Sequence, residues 1–105
     1  MRLTPEQAAI IRSAAAEVFG TDARVWLFGS RVDDAKRGGD IDLLIETRDR
    51  LAPAELVRRR ARYAARLYRS LGEQRIDMVI TAQGVPDPRP VVAEAQRLGI
   101  LMVDA

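Results

Sequence analysis

Three stretches of this chain open with proline and close with glycine: Pro5 to Gly20, Pro53 to Gly72 and Pro90 to Gly99. Proline suits the first position of a helix, where its missing N–H leaves no bond unmade, and glycine suits the residue just past the end. Each bracket therefore reads as a helix. Thr4 caps the first, and Gln7 completes a capping box. Ile11, Ala14, Ala15, Val18 and Phe19 then recur at helical spacing. Leu56, Val57, Ala61, Ala64, Leu67, Tyr68 and Leu71 form the apolar stripe of the second. Val92, Ala95 and Leu98 face inward on the third.

Between the helices lie short runs of β-formers. Arg24 to Phe28, Ile41 to Glu46, Arg75 to Thr81 and Ile100 to Val103 read as strands. A short helix is expected between the first two. The order is α-β-(short helix)-β-α-β-α-β, so an α/β (α+β) fold is expected, a mixed sheet of about four strands packed by helices. The 105 residues fit one domain. No repeat or linker divides them.

Composition narrows the chemistry. Cysteine and histidine are both absent. That excludes disulfides, thiolate or imidazole metal ligands, and a histidine base. Carboxylates, hydroxyls, arginine, Lys36 and backbone groups remain. Net charge is only +2, which by itself does not argue for nucleic acid. There is no signal peptide core, and no apolar run approaches the roughly 20 residues of a membrane span. A cytoplasmic location is the expectation.

Asp40-Ile41-Asp42 opens the second strand. Side chains alternate across a sheet, so the two carboxylates share a face, while Ile41, Leu43 and Ile45 take the other. Paired carboxylates repel unless neutralised, and Mg²⁺ accepts hard oxygen ligands of this kind. Asp77 sits between Ile76 and Met78 in the third strand. If the strands are neighbours, Asp77 joins Asp40 and Asp42. Three such groups could hold two metal ions about 3.5–4 Å apart. The alternative for Asp77 is a structural ion pair with Arg75 or an arginine of the long helix. Gly29-Ser30 follows the first strand directly. Glycine permits close backbone approach, Ser30 offers a hydroxyl and an N–H, and a helix beginning there would turn free N–H groups toward a phosphate. Arg31 adds a planar cation for phosphate oxygens, or else pairs with Asp33 or Asp34.

Gly29-Ser30-Arg31, with nine residues counted from Arg31 through Gly39, then Asp40-Ile41-Asp42-Leu43, resembles the motif of the DNA polymerase β-like nucleotidyltransferase superfamily. The short chain and the later Asp77 strand look most like its minimal nucleotidyltransferases. The resemblance implies a single minimal nucleotidyltransferase domain over residues 1–105. It places the triphosphate on Gly29 and Ser30, beside Arg31. It makes Asp40, Asp42 and Asp77 the metal ligands and catalytic residues, with Mg²⁺ as cofactor and ATP as substrate. It further implies transfer of AMP to a hydroxyl, such as a tyrosine of a HEPN-domain toxin, with this chain as the antitoxin. A non-catalytic antitoxin that neutralises a partner by covering it is the alternative.

The arginines of the long helix (Arg58, Arg59, Arg60, Arg62, Arg66 and Arg69) read either as a solvated face or as a contact surface for RNA or an acidic partner helix. Phe19, Trp26 and Phe28 are expected in the core rather than as a nucleobase platform. Tyr63 and Tyr68 are expected in helix packing rather than as modified acceptors.

Overall fold

Each proline–glycine bracket encloses a helix. The structure, a computed structural model, describes residues 3–29, 40–72 and 74–102. Its elements are α1 (Pro5–Phe19), β1 (Arg24–Phe28), β2 (Ile41–Thr47), α2 (Pro53–Leu71), β3 (Ile76–Ala82), α3 (Pro90–Leu98) and β4 (Ile100–Met102). At the start of α1, Gln7 donates its N–H to Thr4 Oγ1 at 3.1 Å, and Thr4 donates its N–H to Gln7 Oε1 at 3.0 Å. That is the capping box that the sequence implies. The short helix expected between β1 and β2 lies outside the described residues, as does Val103 at the end of β4.

The four strands make one mixed sheet in the order β3-β2-β1-β4. β1 runs antiparallel to both of its neighbours, while β2 and β3 are parallel. Parallel neighbours need a crossover, and α2 supplies it. The β2–β3 ladder runs from Ile41↔Ile76 to Thr47↔Ala82. It is one residue longer in β2 than the sequence indicates, and β3 is displaced one residue along. The Gln83 N–H donates to the Thr47 carbonyl at 2.8 Å and carries the ladder past Thr81.

Alternation along the strands sends two sets of side chains to two faces. Val25, Leu27, Ile41, Leu43, Ile45, Ile76, Met78 and Ile80 meet α1 and α2 in the main core. Each fully buried Leu or Ile there stabilises the fold by roughly 1.5–3 kcal/mol relative to exposure. Phe19 and Tyr63 join the two helices edge to face, with ring centroids 5.3 Å apart. The Tyr63 hydroxyl donates to the Ile11 carbonyl at 3.0 Å, and burial pushes its pKa well up. The opposite face holds a smaller cluster of Leu44, Val92 and Ala95 under α3, with Trp26 and Phe28 packed beside it. The aromatic residues expected in packing are thus in packing, except Tyr68.

Four apolar assignments differ from the sequence reading. Val57 is 67% exposed, Tyr68 44% and Leu98 55%, and Ala61 is exposed too. Helix α2 buries Tyr63 and Leu67, with Leu56, Ala64 and Leu71 alongside. Its length carries two apolar lines, and only one can meet the sheet.

β3 is an edge strand, and an unpaired edge exposes carbonyls to solvent or to another chain. Two of these carbonyls are covered by arginine: Arg60 donates to Met78 O and Arg89 to Ile80 O, each at 2.7 Å.

Candidate active site

The site face is the one opposite α1 and α2. Register places Phe28, Asp42 and Asp77 side by side in one row across β1, β2 and β3. Paired residues on adjacent strands project from the same face. Asp77 therefore reaches Asp42's side of the sheet, as the alternation of Ile76, Met78 and Ile80 requires. It is exposed and has no hydrogen-bond or ion-pair partner among the described residues. The structural ion pair weighed for Asp77 is not formed. Arg75 instead pairs with Asp40, Nε to Oδ2 at 3.7 Å. Asp40 comes just before β2 opens, where Ile41 N–H donates to the Arg75 carbonyl at 2.9 Å.

Asp42 is the electrostatic centre of the group. Its pKa is raised, first by burial, then by the charge of Asp77, then by that of Asp40. Like charge crowded around one carboxylate is relieved by a cation. The donor set, all hard carboxylate oxygens, fits a divalent ion such as Mg²⁺. Among the described residues, however, no three acidic side chains converge at metal-ligand spacing. Asp40 instead pairs with Arg75, so the cluster is an in-register acidic pair, Asp42 and Asp77, with a third carboxylate beside it.

Gly29 follows β1 directly, against the Asp42 carboxylate. Its φ is +74°, a left-handed conformation that favours glycine. A β-carbon at this position would collide with Asp42 Oδ2 and lie 3.1 Å from its Cγ. The glycine thus has two physical reasons, backbone conformation and room for the carboxylate. Ser30 and Arg31, expected next to it, lie outside the described residues.

One buried acid was not picked out from the sequence. Glu46 lies two rungs beyond Leu44 on the Asp42 face and is 4% exposed. It accepts from Arg24 at 3.4 Å, from Gln96 at 3.2 Å and from the Trp26 indole N–H. Those donors come from β1 and α3, so Glu46 ties the helix to the sheet. The period of two from Asp42 to Glu46 was the available signal. A cavity of about 510 Å³ opens at the far end of β2 and β3, between Leu51, Leu56, Ile80 and Val85. Its one carboxylate, Asp87, is already held by Thr81 and Arg89.

Comparison with known families gives this arrangement its class. The model of the nucleotidyltransferase domain matches residues 9–94, well over half of the chain. The chain belongs to that family, and the mixed four-stranded sheet with three helices that its described residues form is consistent with the family's fold. Membership makes it a transferase domain of the nucleotidyl-transfer type, with a nucleoside triphosphate as substrate. The family generally works with a divalent metal. No curated protein matches the chain. Among the described residues no helix is long and apolar enough to cross a membrane.

Proposed function

We propose that residues 1–105 act as a single minimal nucleotidyltransferase domain that transfers AMP from ATP to a hydroxyl acceptor. The observation that carries this reading is the in-register pair Asp42 and Asp77, set against the tight Gly29 turn. Gly29, Ser30 and Arg31 take the triphosphate: the glycine allows close approach, and the other two supply donors. Asp40, Asp42 and Asp77 would hold Mg²⁺, in one or two ions, with Asp40 exchanging its exposed partner Arg75 for the metal. When bound, the metal neutralises the triphosphate and stabilises charge developing on the transferred group.

The acceptor hydroxyl oxygen forms a bond to the α-phosphorus. The bond from that phosphorus to the oxygen bridging to the β-phosphate breaks, and pyrophosphate leaves with its electron pair. The hydroxyl proton passes to a carboxylate oxygen of Asp77, which fills the role of the absent histidine base. Positioning and charge neutralisation provide most of the acceleration in such a site. Resemblance to minimal nucleotidyltransferases supports a tyrosine of a HEPN-domain toxin as acceptor, and an antitoxin role in the cytoplasm.

Transfer of label from ATP carrying a radioactive α-phosphate, with Mg²⁺ and a candidate HEPN partner, tests the reading. Wild type should label the partner, and Asp42→Asn and Asp77→Asn should each abolish labelling. Undiminished labelling in both variants overturns the catalytic assignment.

A further inference from the structure

Helix α2 has an outer side that the core does not use. Ala54, Val57, Ala61, Ala65 and Tyr68 are all exposed and recur at spacings of three and four. At 100° per residue they fall within an arc of about 80°, directed away from Tyr63 and Leu67. From Val57 to Tyr68 the line is about 16 Å long. Single exposed apolar residues are ordinary, but a line in helical register is a seam of the kind that packs against another helix.

Charge identifies what fits there. Of the arginines on α2, Arg59 pairs with Glu55 at 2.6 Å, Arg60 with the Met78 carbonyl, and Arg66 with Glu17 at 3.2 Å. By the same helical geometry Arg58, Arg62 and Arg69 border the apolar line on one side. Arg58 shares Glu55. Arg62 and Arg69 have no hydrogen-bond or ion-pair partner among the described residues. A second copy packed antiparallel on this line would set this arginine border against arginines, which opposes that self-pairing.

We infer that the outer side of α2 is a docking surface for an amphipathic helix of another protein, with an apolar stripe flanked by Asp or Glu. The apolar line gives the contact its area, and Arg62 and Arg69 select the acidic border. The surface lies with α1 and α2 on the face opposite Asp42 and Asp77, so its occupation leaves the acidic pair free. The inference stands whether or not the chain transfers nucleotides.

The probe is a labelled synthetic helix with leucine at heptad core positions and glutamate at the flanks, compared with a twin in which lysine replaces glutamate. Anisotropy with the full chain should show binding of the acidic helix, weakened by salt, and no binding of the twin. Val57→Asp and Tyr68→Ser should each weaken it roughly tenfold or more. The double variant Arg62→Glu, Arg69→Glu should lose the acidic helix and gain the basic one. Circular dichroism confirms that these surface variants remain folded. Equal binding of both helices, or of neither, overturns the inference. Binding of a single-stranded RNA that needs Arg62 and Arg69 but ignores Val57→Asp reassigns the surface to nucleic acid and overturns it too. So does a dimer in sedimentation that Val57→Asp dissolves.

Discussion

Gly29 and the carboxylate of Asp42 stand so close that no side chain fits between them. Gly29→Ala should therefore act twice. The new methyl group must displace Asp42, and the backbone must hold φ near +74° with a β-carbon present. A cost of about 1–3 kcal/mol is expected in urea unfolding, together with loss of nucleotidyl transfer. A Gly29→Ala protein as stable and as active as wild type would contradict the contact.

Asp42 sets a distinctive pH dependence. Burial and the charges of Asp77 and Asp40 raise its pKa in the fold above the ordinary 3.8. The folded chain then holds its proton more tightly than the unfolded chain. Its contribution to stability falls as pH rises from the ordinary value through the raised one, and stays unfavourable above. Without divalent ions, Asp42→Asn should be more stable than wild type at neutral pH, and the gap should close in acid. Mg²⁺ at roughly tenfold above its Kd should add about 1.4 kcal/mol to wild type and much less to the variant. Thermal unfolding across pH, with and without Mg²⁺, measures both effects. A wild type more stable than Asp42→Asn in metal-free neutral buffer would be the contrary result.

Asp87 should behave in the opposite way. Hydrogen bonds from the Arg89 side chain and backbone, and from Thr81, hold its carboxyl well below the usual range. Its stabilising contribution is present above the ordinary carboxylate pKa and is lost as pH falls below it. Asp87→Asn should destabilise at neutral pH, with the difference from wild type vanishing in strong acid. The same change should loosen the cover that Arg89 gives the Ile80 carbonyl. Hydrogen exchange along β3 reports that loosening, and unaltered exchange would separate Arg89 from Asp87.

Glu46 joins β1 and α3 through donors that water cannot easily replace. Glu46→Leu should leave the Trp26 indole N–H unsatisfied and cost about 1–3 kcal/mol. Glu46→Gln keeps one acceptor and should cost less. Chemical denaturation followed by Trp26 fluorescence distinguishes the two. Equal stability of Glu46→Leu and wild type would show the buried acid to be dispensable.

Much of this architecture was legible because local signals and tertiary needs agree. Pro5, Pro53 and Pro90 open helices as their backbone chemistry demands, and Ile41, Leu43 and Ile45 face the core because Asp42 cannot. The shared face of Asp42 and Asp77 followed from alternation alone, once the two strands are neighbours. What escaped depends on packing between distant segments. Val57 and Tyr68 fit a helical stripe as well as Leu56 and Leu67 do, and only the sheet decides which stripe is buried. Arg75 stands two residues from Asp77 in sequence, yet its partner is Asp40, beside the start of the parallel ladder. The period of two set Glu46 on the Asp42 face, but its burial was hidden because its three donors come from other elements.

The parallel ladder between β2 and β3 has one more consequence. The spacing between positions 42 and 77 is a rung length of the sheet, fixed by main-chain bonds rather than by any loop. This pair therefore cannot come apart while the middle of the protein stays intact. Warming should dull it only at the temperature where the whole β layer dissolves.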